Sequence, residues 1–261
     1  MTIIDAIILG LVQGLTEFLP VSSSGHLVIG QHLLNMREPN LAFDVVVHLG
    51  TLLAVIVYFR DDIQKILFSF RAGGDPRWRW VFLLVVVGTI PTGFIGVLFK
   101  DVFEEMFASV RVVSFTLIVT GLLLFFADRV RRADRPLSAM KSLDALIIGL
   151  VQGLAIVPGI SRSGSTIATG LFLKIDADAA ARFSFLLSIP AIMGAVTLQS
   201  KAIFGHAVNG SGATFLAGFL TAAVSGWLAI KLLMAVLKRK RLTLFSIYCW
   251  FLAAVLFVWV K

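Results

Sequence analysis

The chain has 261 residues, 58% of them apolar and 15% charged, with a mean hydropathy of +0.95 and a formal net charge of +8. Soluble domains run at about 45–50% apolar and about 25% charged, so this composition excludes a disordered chain, a collagen, a disulfide scaffold and most soluble enzymes. It leaves an integral membrane protein. Cys249 is the single cysteine, which excludes an intrachain disulfide and a cysteine-built metal site. The Lys and Arg residues gather in a few loops between apolar segments, as the positive-inside bias predicts, so no nucleic-acid partner is expected. No Lys or Arg precedes Arg37, so the N-terminus lacks the basic region of a secretory signal.

Residues 3–35 are apolar at both ends but carry Gln13, Glu17, Pro20, Ser22, Ser23, Ser24, Gly25 and His26 between them. This pattern predicts a short helix, a break and a second short helix, a re-entrant hairpin rather than a span. Leu41–Phe59 reads as a first span, interrupted by Asp44 and His48; a charged loop over 60–79 follows, then spans at Val81–Phe99 and Val112–Ala127. Residues 143–175 repeat the hairpin pattern around Gln152, Pro158, Gly159, Ser161, Arg162, Ser163 and Gly164. Phe183–Ser200 is the next span, a turn is predicted at Asn209–Gly212, another span starts near Thr214, and Leu242–Val260 is the last. The expected architecture is an all-α polytopic membrane protein of six transmembrane helices plus two re-entrant helix–loop–helix hairpins.

The hairpins are copies. Asp5–Leu15 matches Asp144–Leu154 at 9 of 11 positions with an offset of 139, and the register continues through Ser22/Ser161, Ser24/Ser163 and Gly25/Gly164. Phe43/Phe183 and Phe82/Phe215 are fainter echoes. One membrane domain over 1–261 is therefore read as two repeats, about 1–130 and about 140–261, each with one hairpin and three spans. Three crossings per repeat turn the second copy upside down, an inverted-topology repeat. If the 60–79 loop is cytoplasmic, the cytoplasmic segments hold 16 Lys and Arg against 5 on the other side. That ratio places both termini outside and lets the hairpin tips meet near mid-membrane.

Pro20 closes off the first incoming helix, and Ser22 or Ser23 is placed to cap the next; Pro158 and Ser161 repeat the arrangement. Helix N-termini carry free N–H groups and a partial positive charge, so two of them with Arg162 between would hold a diphosphate. Glu17, His26 and Arg162 are ionisable at membrane depth, which marks a site. Ser23 and His26 lie three apart, on one helix face, and a serine near a histidine and a carboxylate is a nucleophilic constellation. Gly10-x-x-x-Gly14 and Gly149-x-x-x-Gly153 read as helix-packing faces, Asp5 and Asp144 as helix caps, Gln13 and Gln152 as supporting hydrogen-bonding residues, and His48 as a packing histidine. Nothing in this separates hydrolysis from transport.

At these residues the chain resembles the undecaprenyl-diphosphate phosphatase (bacitracin-resistance) family. The resemblance rests on the Glu/Gln-x-x-x-Glu motif, here Gln13 to Glu17, followed by Pro20-Val-Ser-Ser-x-Gly-His26, and on Pro-Gly-x-Ser-Arg-Ser-x-x-Thr over Pro158–Thr166. It implies a plasma-membrane hydrolase that converts undecaprenyl diphosphate to undecaprenyl phosphate and inorganic phosphate, recycling the carrier for peptidoglycan and conferring bacitracin resistance. The site would open to the outer face and need a divalent cation, Mg²⁺ or Ca²⁺. The polyprenyl diphosphate and membrane lipid are the implied partners, with a homodimer allowed for. Family roles carry over to Glu17, Ser23, His26, Ser161, Arg162, Ser163 and Thr166, while the uncharged Gln13 stands where the family often has Glu. Ser23 or His26 would attack phosphorus, Glu17 or His26 would take the serine proton, and Ser161, Arg162, Ser163 and Thr166 would hold the phosphate. Glu17 is the alternative metal holder. The acid-phosphatase-like lipid phosphatases do not fit, because Ala168 and Asp128 stand where their pattern needs His and Lys.

Overall fold

The computed structural model describes residues 1–34, 36, 41–107, 109–130, 132–206, 212–238 and 241–259, with only the backbone described at 41 and 198–206. The helices are α1 (Ile3–Phe18), α2 (Ser23–Leu33), α3 (Leu41–Tyr58), α4 (Arg60–Phe68), α5 (Pro76–Leu98), α6 (Lys100–Phe107), α7 (Val110–Ala127), α8 (Ser142–Leu154), α9 (Arg162–Phe172), α10 (Ala177–His206), α11 (Gly212–Leu237) and α12 (Thr243–Trp259). There are no strands among the described residues, as an all-α membrane fold requires. Large apolar side chains point outward, among them Ile90 (65% exposed) and Phe94 (67% exposed) on α5, the inverse of a soluble surface.

Four helices, α5, α7, α10 and α11, are each long and apolar enough to cross a membrane, and α3 with α4 makes a fifth candidate bent by 70°. The predicted span Leu41–Phe59 therefore ends in a sharp corner. The stretch read as a charged loop contains α4, whose Asp62 accepts from Arg182 Nη1 of α10 at 2.6 Å. α12 is apolar but runs only 17 residues, and Val260, which the expected span included, lies outside the described residues, as does most of the turn expected at Asn209–Gly212.

Both predicted breaks are present. Thr2 and Asp5 form a capping box that starts α1, and the chain leaves the helix at Leu19 in an extended conformation before Pro20. Ser22 caps α2 by accepting from the Gly25 N–H at 3.2 Å, in a left-handed conformation with φ +68° that non-glycine residues adopt only at a cost of about 1–2 kcal/mol. Ser161 caps α9 in the same way, accepting from the Gly164 N–H at 3.0 Å. Asp144 accepts from the Lys141 N–H at 2.7 Å and from Arg135 Nη2 at 2.6 Å, so it serves as the expected cap at the start of α8.

The small-residue faces let backbones touch. A Cβ on Gly10 of α1 would lie 2.5 Å from the Gly218 carbonyl oxygen of α11, and one on Gly149 of α8 would collide with the backbone of Gly88 in α5. Thus α1 packs on α11 and α8 on α5, while α3 packs on α10 and α11, and α7 on α12. Phe18, Phe59, Phe185, Ile230 and Leu233 fill the apolar core between α1, α3, α10 and α11.

α7 and α12 back the two breaks. Thr116 Oγ1 donates to the Pro158 carbonyl at 2.6 Å, Thr120 Oγ1 donates to the Gly159 carbonyl at 2.9 Å, and the Ser161 N–H donates to Thr120 at 3.1 Å. Cys249 of α12 lies against the Pro20 carbonyl. The two supports are joined to each other, because Trp250 donates to the Ile118 carbonyl and Asp128 accepts from the Leu242 and Thr243 N–H groups that open α12.

Candidate active site

The two breaks meet. Arg162 Nη2 donates to Glu17 Oε1 at 2.9 Å, Ser163 Oγ donates to the Leu19 carbonyl at 3.3 Å, and a Cβ on Gly164 would sit 3.1 Å from Pro20 Cβ. Residues 145 apart in sequence thus share one salt bridge, with side-chain exposures of 17% and 5%. Breaking such a buried pair on one side costs about 3–5 kcal/mol.

Glu17 is the hub. Its Oε2 accepts from Ser23 Oγ at 2.5 Å and from Gln13 Nε2 at 3.0 Å, and His48 Nε2 lies 3.6 Å from the same oxygen. The short Ser23 contact aligns the hydroxyl proton with a carboxylate, the geometry a general base needs. A cavity of about 530 Å³ opens beside this cluster, lined by Glu17, Ser23, Ser24, Asp44, His48, Thr92, Gln152, Ser161 and Arg162 at one end. Lys100, Phe103, Glu104 and Phe107 of α6 and small residues of α5 and α10, Gly93, Gly96, Ala191, Gly194 and Ala195 among them, line the rest. Nothing among the described residues accepts from the N–H groups of Ser23, Ser24, Arg162 and Ser163, so both helix N-termini keep free donors next to the guanidinium.

The structure sorts the expected site residues. Glu17, Ser23, Ser161, Arg162 and Gln152 reach the cavity. His26 does not join Ser23. Its Nδ1 lies 2.7 Å from the Ser22 carbonyl, which can only accept, so the ring hydrogen is on Nδ1 and Nε2 accepts from the Tyr248 hydroxyl at 2.7 Å. The spacing of three residues holds, but α2 lies between α1 and α12, and the two side chains leave it toward different neighbours. Ser163 and Thr166 also differ from expectation. Ser163 ties the tips together through Leu19, and Thr166 donates to the Arg162 carbonyl at 2.8 Å and bonds the Ser184 hydroxyl at 2.6 Å, beneath the guanidinium rather than on the cavity wall.

Gln13 and Gln152 differ from each other. Gln13 donates to Glu17, whereas Gln152 donates to Thr92 Oγ1 at 3.2 Å and to the Leu187 carbonyl at 3.5 Å. Each leaves its buried Oε1 without a partner. As a metal ligand Glu17 does not fit: Oε1 already faces a guanidinium and Oε2 receives two donors, so a divalent ion there would sit against Arg162. No group of three His, Cys, Asp or Glu side chains able to hold a metal occurs among the described residues.

Asp44 and His48 were missed as site residues. Asp44 is buried, its Oδ1 accepts from Gln31 Nε2 at 2.6 Å, and it lines the cavity one helical turn before His48. The available signal was a carboxylate and an imidazole four apart within one apolar span, hence on one face of a helix at membrane depth.

Comparison with known proteins agrees with this picture. Residues 6–255 match the family described as Bacitracin resistance protein BacA. The undecaprenyl-diphosphatase of Halothermothrix orenii is 44% identical over 259 residues, covering 99% of this chain and 98% of that protein. Those of Carboxydothermus hydrogenoformans and Methanobrevibacter smithii are 44% and 45% identical, covering 97% and 99% of this chain and 96% and 98% of their own.

Proposed function

The chain belongs to the bacitracin resistance protein BacA family, and from that premise we infer that it is a membrane hydrolase, an undecaprenyl-diphosphatase. It dephosphorylates undecaprenyl diphosphate to undecaprenyl phosphate, the reaction that recycles the carrier and confers bacitracin resistance.

The observation that carries the mechanism is the 2.5 Å contact between Ser23 Oγ and Glu17 Oε2, at a cavity wall where Arg162 and two helix N-termini converge. Ser23 Oγ attacks the terminal phosphorus as its proton passes to Glu17. The P–O bond to the bridging oxygen breaks, and undecaprenyl phosphate leaves with the electron pair. Arg162 and the free N–H groups of Ser23, Ser24 and Ser163 stabilise the charge on the phosphoryl oxygens. As water attacks the phosphoserine, Glu17 returns its proton to the departing Ser23 Oγ, and the water proton leaves on the released phosphate, so Glu17 ends the cycle ionised. The inward wall of small residues on α5 and α10 suits an isoprenoid chain. His26 works at one remove: its bond to the Ser22 carbonyl steadies the strained cap that aims Ser23.

Four finer features belong to this reading. The exchange of partners, α1 on α11 against α8 on α5, supports the inverted repeat. The cavity reaches α6, whose side of the membrane the charge count assigns to the outside, so the site opens outward and both termini lie there. A divalent cation, which the family resemblance implies, would have to bring its ligands with the diphosphate and water, since Glu17 is already committed to Arg162, Ser23 and Gln13. A homodimer is the assembly this reading allows, and cross-linking in detergent tells it from a monomer.

Purified protein in detergent, with no membrane gradient, releases phosphate from undecaprenyl diphosphate, which separates hydrolysis from transport. A phosphorylated peptide trapped by rapid acid quench maps to Ser23; full activity of Ser23→Ala refutes the serine step.

A further inference from the structure

His48 contacts no expected partner, yet it lies on the wall of the cavity with its side chain 28% exposed there. Its Nδ1 is 2.6 Å from the Asp44 carbonyl oxygen, which can only accept, so that nitrogen carries a hydrogen. Its Nε2 is 3.6 Å from Glu17 Oε2. With Nδ1 committed, Nε2 is the ring atom left to face the Glu17 carboxylate. Around it stand Glu17 from α1, Arg162 from α9, Asp44 on its own helix, and Lys100 and Glu104 of α6 lining the same cavity; among the described residues, α10 and α11, packed on α3, contribute no titratable side chain to the lining.

We propose that His48 is a positioning residue for the phosphatase reaction, a second side chain set against Glu17 opposite Arg162. It shares Glu17 with Arg162, one on each carboxylate oxygen, and so fixes Oε2 toward Ser23. The proposal rests on the reading of Glu17 as the base for Ser23. Its consequence is a gain confined to the transition state. When Glu17 takes the Ser23 proton it becomes neutral, and Arg162 loses its counter-charge while His48 holds the carboxyl group in line with Ser23. The nearest negative charge is then the diphosphate, whose phosphoryl oxygens gather charge at that same moment. The second repeat has no equivalent: in the register Phe43/Phe183, Asp44 falls on Ser184 and His48 on Ser188, both uncharged. The device is therefore particular to α3.

The test compares His48→Ala and His48→Gln in the full-length protein, purified in detergent and assayed for phosphate release from undecaprenyl diphosphate. Ser23→Ala and Glu17→Gln are run alongside. His48→Ala is expected to lower kcat roughly 10–100-fold with KM within about twofold, because the lost pairing acts on the base and the transition state rather than on substrate binding. His48→Gln places a neutral amide donor near Glu17 and should recover at least about fivefold of the rate lost in the alanine variant. A His48→Ala enzyme within about threefold of wild type overturns the proposal, as does a glutamine variant that recovers less than that. If the alanine variant does not fold, His48→Leu, which keeps the volume and removes both ring nitrogens, takes its place under the same limits. Wild-type rates in Ser23→Ala and Glu17→Gln would instead refute the underlying base assignment, whatever the His48 variants do.

Discussion

Replacing Glu17 by glutamine separates the two duties that the structure places on one side chain. The amide keeps the volume of the carboxylate and can still accept from Arg162 Nη2 through its oxygen, but it cannot take the Ser23 proton. General-base catalysis contributes about 10²–10⁴-fold, so kcat should fall by that factor, equivalent to about 3–5 kcal/mol of barrier. Binding should move the other way. Arg162 loses the charge that neutralises it and turns its attraction to the diphosphate, so KM should hold or fall. Stability should drop by up to about 3–5 kcal/mol, because the buried Arg162 guanidinium is left without its counter-charge. Steady-state phosphate release gives kcat and KM, and a melting curve in detergent gives the stability change. A Glu17→Gln enzyme with kcat within tenfold of wild type, or one whose KM rises while kcat stands still, would refute the assignment of Glu17 as base.

Arg162→Lys keeps a charge but loses the planar fork that spans Glu17 and the Ser184 carbonyl, and phosphate release should fall by about 10–100-fold with a higher KM; unchanged kinetics would show that a point charge suffices. Gly159→Ala should destabilise by more than about 2 kcal/mol, since φ at Gly159 is +90° and the added Cβ would collide with Thr116, as a drop in melting temperature would show. His26→Ala should lower kcat by loosening the Ser22 cap, and His26→Asn, which can restore a donor to the Ser22 carbonyl, should recover part of the loss. Asp144→Asn should cost about 1–3 kcal/mol of stability without changing KM, because it weakens the Arg135 and Lys141 bonds far from the cavity.

What could be read from the sequence follows the distance over which each feature is determined. The breaks at Pro20 and Pro158, the caps Ser22, Ser161, Asp5 and Asp144, and the small-residue faces are set by neighbours within a turn or two, and their outlines stood in the sequence. The meeting of Glu17 with Arg162 was legible for a different reason, since two buried ionisable groups in duplicated motifs have few other partners to satisfy them. His26 and His48 exchanged places for want of such a constraint. Three-residue spacing puts His26 beside Ser23 on a helical wheel but does not say that Tyr248, from the far end of the chain, takes its free nitrogen. Nor does an apolar span say which neighbour its one histidine faces; that is decided by the packing of α3 against α1. The helices α4 and α6 were hidden by their charge, which marks a loop at a membrane surface as readily as an amphipathic helix lying along one.

The joined support of the two breaks has a mechanical consequence. Because α7 grips the turn at Pro158–Ser161, α12 leans on Pro20, and the pair is bonded across Trp250 and Asp128, the reacting end of the cavity has a stiff back. A bulky isoprenoid tail must therefore enter and leave at the front, between α5 and α10. There Pro190 on the cavity wall, and Pro91 one residue before the wall residue Thr92, each remove a backbone hydrogen bond from a long helix, so the give in the scaffold lies on that side and not in α7 or α12, which carry no proline.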